Sequence, residues 1–340
     1  MSVATECALI YEQIAPAAGQ RDDVLLGIGD DAAVVQAPEG QSVVVALDTL
    51  VENHHFFAGC APEDIAWKSL AVNLSDLAAM GAEPRWALLA LSLPEAMATS
   101  DWLARFMQGW QALASQFGVA LIGGDTTRSD RLTVSVTLMG TVPIGQAIQR
   151  SGARVGDEIW LSGSIGDAGL ALAQLYRNDA PLAEMAERLH RPQPRVSLGQ
   201  ALQGLATAAV DVSDGFLADL EHLLKASGGL GAGCYLDQFP FSEPVMRWVH
   251  ESENPCLPLT SGDDYELIFT APPQVRERIE QLSVELNLGL TKVGVITNTQ
   301  GGIGLWYADK LLAIPTRRGF DHFRSEERRV GKECRSRWSA

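Results

Sequence analysis

The sequence predicts a two-domain fold of the α/β (α+β) class. Segments rich in β-branched residues alternate with amphipathic helical segments, which is the pattern of helices packed on sheets. The length of 340 residues is sufficient for two domains of ordinary size. Pro143, Gly145 and Gly152 lie in one stretch, a composition typical of a connection between domains. We therefore expect an N-terminal domain of residues 1–145 and a C-terminal domain of residues 146–323.

Three strands, one of them VALIGG at residues 119–124, and two helices are predicted in the first half of the chain. Residues 43–47 (VVVAL) and 132–139 (LTVSVTLM) have the composition of strands. A helix is predicted from Pro62, a favoured first helical residue, to Gly81, a favoured residue after a helix end. A second amphipathic helix, SDWLARFMQGWQALASQFG, is predicted with Ser100 as its N-cap.

The second half alternates predicted strands with predicted helices. Strand-like EIWLSG precedes helical DAGLALAQLY, AAVDVS precedes GFLADLEHLLKASG, and YELIFTA precedes PQVRERIEQLSVEL. This order predicts a C-terminal α/β domain in which helices pack on a sheet.

The chain is acidic, with a formal net charge of −16 at pH 7. Such a charge disfavours nucleic acid and anionic membranes as partners. An acidic protein can still act on anionic substrates when metal cations lie between the two negative charges. The net negative charge therefore does not exclude phosphorylated small molecules as substrates.

Several features predict a cytoplasmic protein. The five cysteines include no CxxC pair, which favours reduced thiols over disulfides or zinc. No run approaches the roughly 20 apolar residues of a membrane span, and the N-terminus lacks a basic-then-apolar signal. From Arg324 the chain reads RSEERRVGKECRSRWSA, with six Lys or Arg and three Glu. We interpret residues 324–340 as a non-native tail; a natural flexible tail is the alternative.

Acidic residues recur where predicted segments end, beside glycines or small polar residues. Any one of them could equally be a turn residue or a helix cap. Together they indicate a set of oxygen ligands, and oxygen ligands without His or Cys neighbours favour Mg²⁺ over zinc. The acids are Asp30, Asp31, Asp48, Asp76, Asp125, Asp211, Asp214, Asp263, Asp264 and Glu266.

The familiar nucleotide motifs are absent from the sequence. GIGDDA matches a dinucleotide fingerprint in form, but aspartates occupy the positions that should approach a pyrophosphate, and no helix follows. There is no G-x-x-x-x-G-K-[ST] phosphate loop and no G-x-S-x-G nucleophile. The glycine-rich LSGSIGDAGLALAQL could seat an anion on backbone N–H groups or be a plain tight turn. Phosphoryl chemistry assisted by several metal ions is the hypothesis that remains.

Eight segments, in this order over residues 27–323, resemble the thiamine-monophosphate kinase family of the aminoimidazole-ribonucleotide-synthetase-like superfamily. They are GIGDDAAV, LDTLVENHHF, AVNLSDLAAMGAEP, LIGGDTTR, RSGARVGD, DVSDGF, SGDDYEL and GFDHF. The resemblance implies in-line transfer of the γ-phosphoryl group of ATP to thiamine monophosphate, with several Mg²⁺ ions. It also implies a homodimer in which two N-terminal sheets pair into a barrel, each followed by a C-terminal α/β domain.

The resemblance also implies roles for individual residues. The implied metal ligands are Asp30, Leu47, Asp48, Asp76, Asp125, Asp211 and Asp214. The implied ATP positions are Gly124, Asp125, Arg150 and Ser213, and the implied thiamine-phosphate positions are His55, Asp263 and Phe320. No general base is implied.

Two positions depart from the family pattern. The family often has Ser or Thr before Asp48, where this chain has Ala46 and Leu47, so only backbone carbonyls could ligate there. The family commonly has Glu where this chain has Asp263, which shortens the reach to substrate.

Other functions remain open from the sequence. An aminoimidazole-ribonucleotide or selenophosphate synthetase shares the superfamily, but the latter would need a reactive cysteine, and Cys7 lies in an apolar, helix-like context. A hydrogenase-maturation relative would end in a functional cysteine, and Cys334 lies in the tail. A non-catalytic Mg²⁺–nucleotide sensor is the third alternative.

Overall fold

The structure is a computed structural model that describes residues 10–252 and 254–320. Residues 324–340, Cys7 and Cys334 lie outside this part. The chain divides into two compact units. The first unit ends at Ala147 and includes Pro194–Gln203, and the second comprises Ile148–Gln193 and continues from Gly204.

The first unit contains a hairpin and a four-stranded sheet. The hairpin consists of β1 (Val24–Leu26) and β2 (Val34–Val35). The sheet has the order β3-β6-β4-β5 and is antiparallel except for the parallel pair β4/β5. Its strands are β3 (Gln41–Val51), β4 (Glu83–Leu93), β5 (Ala120–Arg128) and β6 (Thr133–Pro143). The predicted strand 43–47 lies within β3, whereas β6 and β5 each begin one residue after the predicted starts at 132 and 119.

Helices α1 (Pro62–Ala79) and α2 (Ser100–Phe117) pack together, and α1 also contacts β3, β6 and the short α5 (Val196–Ala201). Every residue of α1 is buried except Glu63, Asp64 and Asp76. The α1 prediction is confirmed, with Gly81 in the left-handed conformation just beyond the helix. The N-cap of α2 is Thr99, not Ser100 as predicted, because the Thr99 side chain accepts a hydrogen bond from the Trp102 N–H.

One side of strand β3 is apolar and exposed. On β3, Val44 and Leu50 are buried, whereas Val43, Val45 and Leu47 are 47%, 60% and 63% exposed. This alternation follows the two-residue period of a strand, since successive side chains point to opposite faces. An exposed apolar strip of this kind is typical of a surface that contacts another protein.

A cluster centred on Asp23 ties the β1 hairpin to the sheet. The Asp23 carboxylate accepts hydrogen bonds from Arg21 Nε and Nη2, both at 2.9 Å, and from Arg85 Nη1 at 2.7 Å. Trp86 Nε1 donates to it at 3.0 Å. The remaining guanidinium donors are also engaged, with Gly118, Glu83 and Thr141 as acceptors. We therefore interpret the cluster as structural and not as an anion site.

The second unit is built on a seven-stranded sheet of order β13-β12-β9-β11-β7-β10-β8, antiparallel except for β12/β9. Its strands are β7 (Glu158–Ser162), β8 (Ala208–Asp211), β9 (Gly231–Tyr235), β10 (Leu267–Ala271), β11 (Leu290–Thr297), β12 (Ile303–Tyr307) and β13 (Lys310–Leu311). Its helices are α3 (Asp167–Tyr176), α4 (Ala183–His190), α6 (Phe216–Ala226), α7 (Glu243–Glu251), α8 (Leu257–Thr260) and α9 (Arg276–Glu285). The apolar face of α6, with Phe216 and Leu220, packs in the core of the sheet.

The described cysteines and helices can be compared with the expectations from the sequence. Cys60, Cys234 and Cys256 are free thiols, and burial raises the pKa of Cys234 to about 12. Within residues 10–252 and 254–320, no helix has the length and apolarity needed to cross a bilayer.

Candidate functional site

The D-x-x-D motif forms the loop between β8 and α6. Asp211 ends β8 and is buried. The loop is anchored by Asp219, in the first turns of α6, whose Oδ2 atom accepts the N–H groups of Ser213, Asp214 and Gly215, each at 3.0 Å. These hydrogen bonds fix the main chain of the loop that carries Ser213 and the predicted metal ligands Asp211 and Asp214.

A second predicted motif lies against this loop. The Asp263 N–H donates to the Ser213 carbonyl and the Tyr265 N–H to the Val212 carbonyl, both at 2.8 Å. Asp263 and Tyr265 have φ angles of 66° and 53°, a left-handed conformation that is strained for residues with side chains. Gly262 permits the close approach, because a Cβ there would lie 2.5 Å from the Ser213 carbonyl oxygen.

A third motif reaches the same loop from the end of the described chain. The Phe320 N–H donates to the Asp214 carbonyl at 3.0 Å. At Gly319, a Cβ would lie 2.6 Å from the same oxygen. The rest of the GFDHF motif lies outside the described residues. Main-chain hydrogen bonds therefore bring together five residues predicted from the sequence: Asp211, Ser213, Asp214, Asp263 and Phe320.

Arg150 is placed elsewhere in the second unit. Its carbonyl accepts a hydrogen bond from Ser227 Oγ at 3.3 Å. Ser227 follows the C-terminal end of α6, whereas Asp214 precedes its N-terminal end. Eleven helical residues rise about 16 Å, so the Arg150 main chain lies a helix length from the loop.

The charges around the D-x-x-D loop suit a cation. Burial, and then the negative charges of Asp211 and Asp214, hold the pKa of Asp219 well above its usual range. Asp214, Asp219 and His222 each offer a ligand atom, and these atoms lie within 4.8 Å of one another. The predominance of carboxylate oxygens in this donor set fits Mg²⁺. Asp219 was not among the residues predicted from the sequence. The available signal was its position as an acid early in the predicted helix that follows D-x-x-D.

The three acids of SGDDYEL have different environments. Asp263 is half-buried, whereas Asp264 and Glu266 are buried. Glu266 accepts from Ser162 Oγ at 2.6 Å and from Arg188 Nη2 at 2.7 Å. Burial above all raises the pKa of Asp264 well above its usual range, and its Oδ1 accepts the Gly166 N–H at 2.8 Å. Asp264 and Glu266 are therefore interpreted as structural.

The glycine-rich loop of LSGSIGDAGLALAQL is a tight turn. The Gly163 N–H donates to the Gly289 carbonyl at 2.8 Å, and the Gly166 N–H donates to Asp264. These two N–H groups are not available to bind an anion, because both already donate to acceptors within the fold. Of the two hypotheses that the sequence leaves open, the structure favours the turn.

In the first unit, Asp48 and Asp125 lie on opposite edge strands. Asp48 on β3 pairs with Val136 on β6, and Asp125 on β5 pairs with Ala90 on β4. Three strand spacings of about 4.8 Å separate β3 from β5, which is roughly 14 Å measured along the sheet. Beside Asp125, Gly124 has no room for a side chain, because a Cβ would lie 1.8 Å from the Leu89 carbonyl oxygen.

The remaining predicted residues of the first unit lie on a helix and two loops. Asp76 is half-buried on α1, while Asp30 is exposed in the loop between β1 and β2. The Asp31 N–H donates to Asp30 Oδ1 at 2.8 Å. After β3, His55 Nδ1 accepts the Val51 N–H at 2.9 Å, which places the proton of the neutral ring on Nε2. The side chain of Leu47 on β3 offers no donor atom, so only its carbonyl could ligate a metal.

Comparisons with known proteins identify the family of the chain. Residues 29–142 and 154–306 match the N-terminal and C-terminal domain models of AIR synthase related protein. A thiamine-monophosphate kinase of Salmonella typhimurium is 40% identical over 324 residues, which are 94% of this chain and 98% of that relative.

Two solved structures share the fold at substantial identity. The crystal structure of thiamine-monophosphate kinase from Stenotrophomonas maltophilia has a TM-score of 0.81 and 44% identity, and covers 89% of this chain and 97% of that one. A structure described as AaThiL complexed with AMPPCP and TMP has a TM-score of 0.72 and 30% identity, covering 87% and 92%. The chain belongs to the thiamine-monophosphate kinase family, within the AIR synthase related proteins.

Proposed function

We propose that the chain transfers the γ-phosphoryl group of ATP to thiamine monophosphate, giving thiamine diphosphate and ADP. This is the last step of thiamine diphosphate formation. The observation that carries the proposal is the 40% identity to a thiamine-monophosphate kinase over 94% of this chain. A relative that binds AMPPCP, a nonhydrolysable analogue of ATP, together with TMP supports both substrates.

Each unit contains its own proposed carboxylate ligands for Mg²⁺. In the first unit the ligands are Asp30, Asp48, Asp76, Asp125 and the carbonyl of Leu47, and in the second they are Asp211 and Asp214. The crowding of Asp211 and Asp214 around the buried Asp219 supports this role, because a cation would offset their mutual repulsion. When bound, Mg²⁺ supplies the positive charge that lets two polyanions approach each other.

The ATP positions are Gly124, Asp125, Arg150 and Ser213. At Gly124 the Leu89 carbonyl already fills the space that a side chain would take, so only backbone atoms could contact a phosphate there. Arg150 offers a permanent positive charge that suits a phosphate.

The thiamine-phosphate positions are His55, Asp263 and Phe320. His55 Nε2 carries the proton of the neutral ring and so offers a donor to the substrate phosphate. Asp263 offers a negative charge to the cationic thiazolium, and Phe320 offers a ring for stacking. The Asp263 side chain is shorter than the Glu that is common in the family, and its left-handed backbone sets the direction in which the side chain leaves the main chain.

The transfer needs no general base. The acceptor is a phosphate monoester whose second pKa is about 6, so it is already ionised near neutral pH. The work of the protein is to position the two phosphates in line and to neutralise their charge.

The enzyme is proposed to act as a homodimer. The exposed apolar strip of Val43, Val45 and Leu47 on β3 supports this, because a second copy of the sheet would remove it from water. Two such sheets facing each other would form the barrel that the family resemblance implies.

The test is ADP release from ATP and Mg²⁺ with a panel of acceptors. We expect release with thiamine monophosphate, and background release with thiamine, formylglycinamidine ribonucleotide or selenide. Release with the ribonucleotide or with selenide instead would point to the synthetase alternatives. ATP binding without ADP release on any acceptor would favour a nucleotide sensor.

A further inference from the structure

Asp219 is the feature that the proposed roles do not use. It is 2% exposed and lies in the first turn of α6. Three consecutive N–H groups, from Ser213 to Gly215, converge on its Oδ2 atom at 3.0 Å. Consecutive N–H groups that point at one spot are the arrangement by which loops bind anions. Here the anion is a carboxylate of the chain itself.

The loop is held from both sides. Its N–H groups are fixed by Asp219, while its carbonyls at Ser213 and Asp214 accept from the N–H groups of Asp263 and Phe320. Losing the Asp219 acceptor would leave three N–H donors without partners in a largely buried place. The loop would then be expected to rearrange, since unpaired buried donors are costly.

Asp219 lies among other acidic groups, which disfavour its ionised form unless a cation is nearby. One of its carboxylate oxygens lies within 4.8 Å of a ligand atom of Asp214. An uncharged acceptor such as Asn could receive N–H groups without adding to this repulsion. A carboxylate at this place is favourable once a cation is nearby, because it strengthens the field that attracts the cation.

We propose that Asp219 is a positioning residue for the divalent-cation ligands Asp211 and Asp214. It holds their loop in the ligating conformation through three N–H groups and, when a cation is bound, contributes a negative charge beside Asp214. The proposal rests on the proposed function insofar as Asp211 and Asp214 are taken as the ligands.

The test compares the full chain with its Asp219→Asn and Asp219→Ala variants. Mn²⁺ binding is followed by electron paramagnetic resonance without ATP or thiamine monophosphate. The Mn²⁺ sites that are weakened in an Asp211→Asn variant are assigned to the D-x-x-D loop. For those sites we expect affinity to fall about 10-fold in Asp219→Asn, which keeps an acceptor, and about 100-fold in Asp219→Ala. Asp237→Asn removes an exposed acid from the same unit and should leave Mn²⁺ affinity unchanged.

Hydrogen–deuterium exchange reports the loop independently of metal. We expect faster exchange of the peptide spanning residues 212–216 in Asp219→Ala, with little change in Asp219→Asn. Wild-type Mn²⁺ affinity in a folded Asp219→Ala variant would overturn the proposal. If that variant does not fold, unchanged Mn²⁺ affinity in Asp219→Asn overturns it.

The two proposals fail in different ways. If Asp211→Asn leaves Mn²⁺ binding intact, the ligand assignment of the proposed function is wrong. If phosphoryl transfer is absent while Mn²⁺ affinity still falls from wild type to Asp219→Asn to Asp219→Ala, Asp219 keeps its positioning role and only the proposed reaction is wrong.

Discussion

Replacing Asp23 by asparagine is expected to destabilise the first unit by about 3 kcal/mol, the lower end of the cost of removing one partner of a buried ion pair. The Asp23 side chain is 16% exposed, and those of Arg21 and Arg85 are 19% and 13% exposed. An amide at this position offers one acceptor oxygen where the carboxylate offers two, and turns an NH₂ group toward guanidinium donors. The variant therefore loses charge-assisted hydrogen bonds and leaves cationic groups without compensation.

The assay is thermal unfolding followed by calorimetry. For a unit of this size, each kcal/mol corresponds to about 2–4 °C, so Tm should fall by roughly 6–12 °C. The matched control is Asp22→Asn, the same substitution at the exposed neighbouring residue, which should leave Tm nearly unchanged. Equal Tm values for the two variants would show that the Asp23 carboxylate does not stabilise the first unit.

The same cluster predicts a pH dependence. The hydrogen bonds from Arg21, above all, hold the pKa of Asp23 well below its usual range, with smaller contributions from Trp86 and Arg85. A folded-state pKa below the unfolded value of about 3.9 means that the stabilisation is complete above that pH and is lost as pH falls through the folded pKa. The Tm difference between wild type and Asp23→Asn should therefore be constant from pH 5 to pH 7, and shrink as the pH is lowered below about 4.

Three further predictions concern packing and assembly. Val45→Asp should convert the proposed dimer to monomers in sedimentation velocity, while Val284→Asp, at an 81% exposed site of the second unit, should not; dimers in both variants would contradict the proposed interface. Arg188→Met should cost about 3 kcal/mol in urea unfolding, because it leaves the wholly buried Glu266 carboxylate without its partner, and a loss below about 0.5 kcal/mol would show that the pair is not needed. Gly262→Ala should lower both Tm and kcat, because the Cβ would collide with a carbonyl of the metal-ligand loop, and full activity would contradict the close approach.

Local signals in the sequence were sufficient for much of the fold. Pro62 and Gly81 mark the limits of α1 because capping preferences act over a few residues. Thr99 was passed over as the N-cap because two adjacent hydroxyl residues fit the same pattern, and only the backbone conformation distinguishes them. Strand β4 was not predicted, since its residues pair with distant strands and its exposed positions do not alternate cleanly.

Part of the site could also be predicted, because local motifs in the sequence mark several of its residues. Asp211, Asp214, Asp263 and Phe320 were recognised from motifs, and the structure brings their main chains together. The role of Asp219 could not be read from sequence, because it depends on three N–H groups converging through the path of the loop. An acid early in a helix is too common to indicate that by itself.

The central claim is that acidic side chains hold the cations for direct phosphoryl transfer between two phosphates. The most direct measurement uses ATP radiolabelled in the γ-phosphoryl group, with thiamine monophosphate and limiting Mg²⁺. We expect label in thiamine diphosphate with the wild-type chain, and loss of that label in a folded Asp30→Asn variant. Label recovered only as inorganic phosphate, or equal labelling by Asp30→Asn, would contradict it.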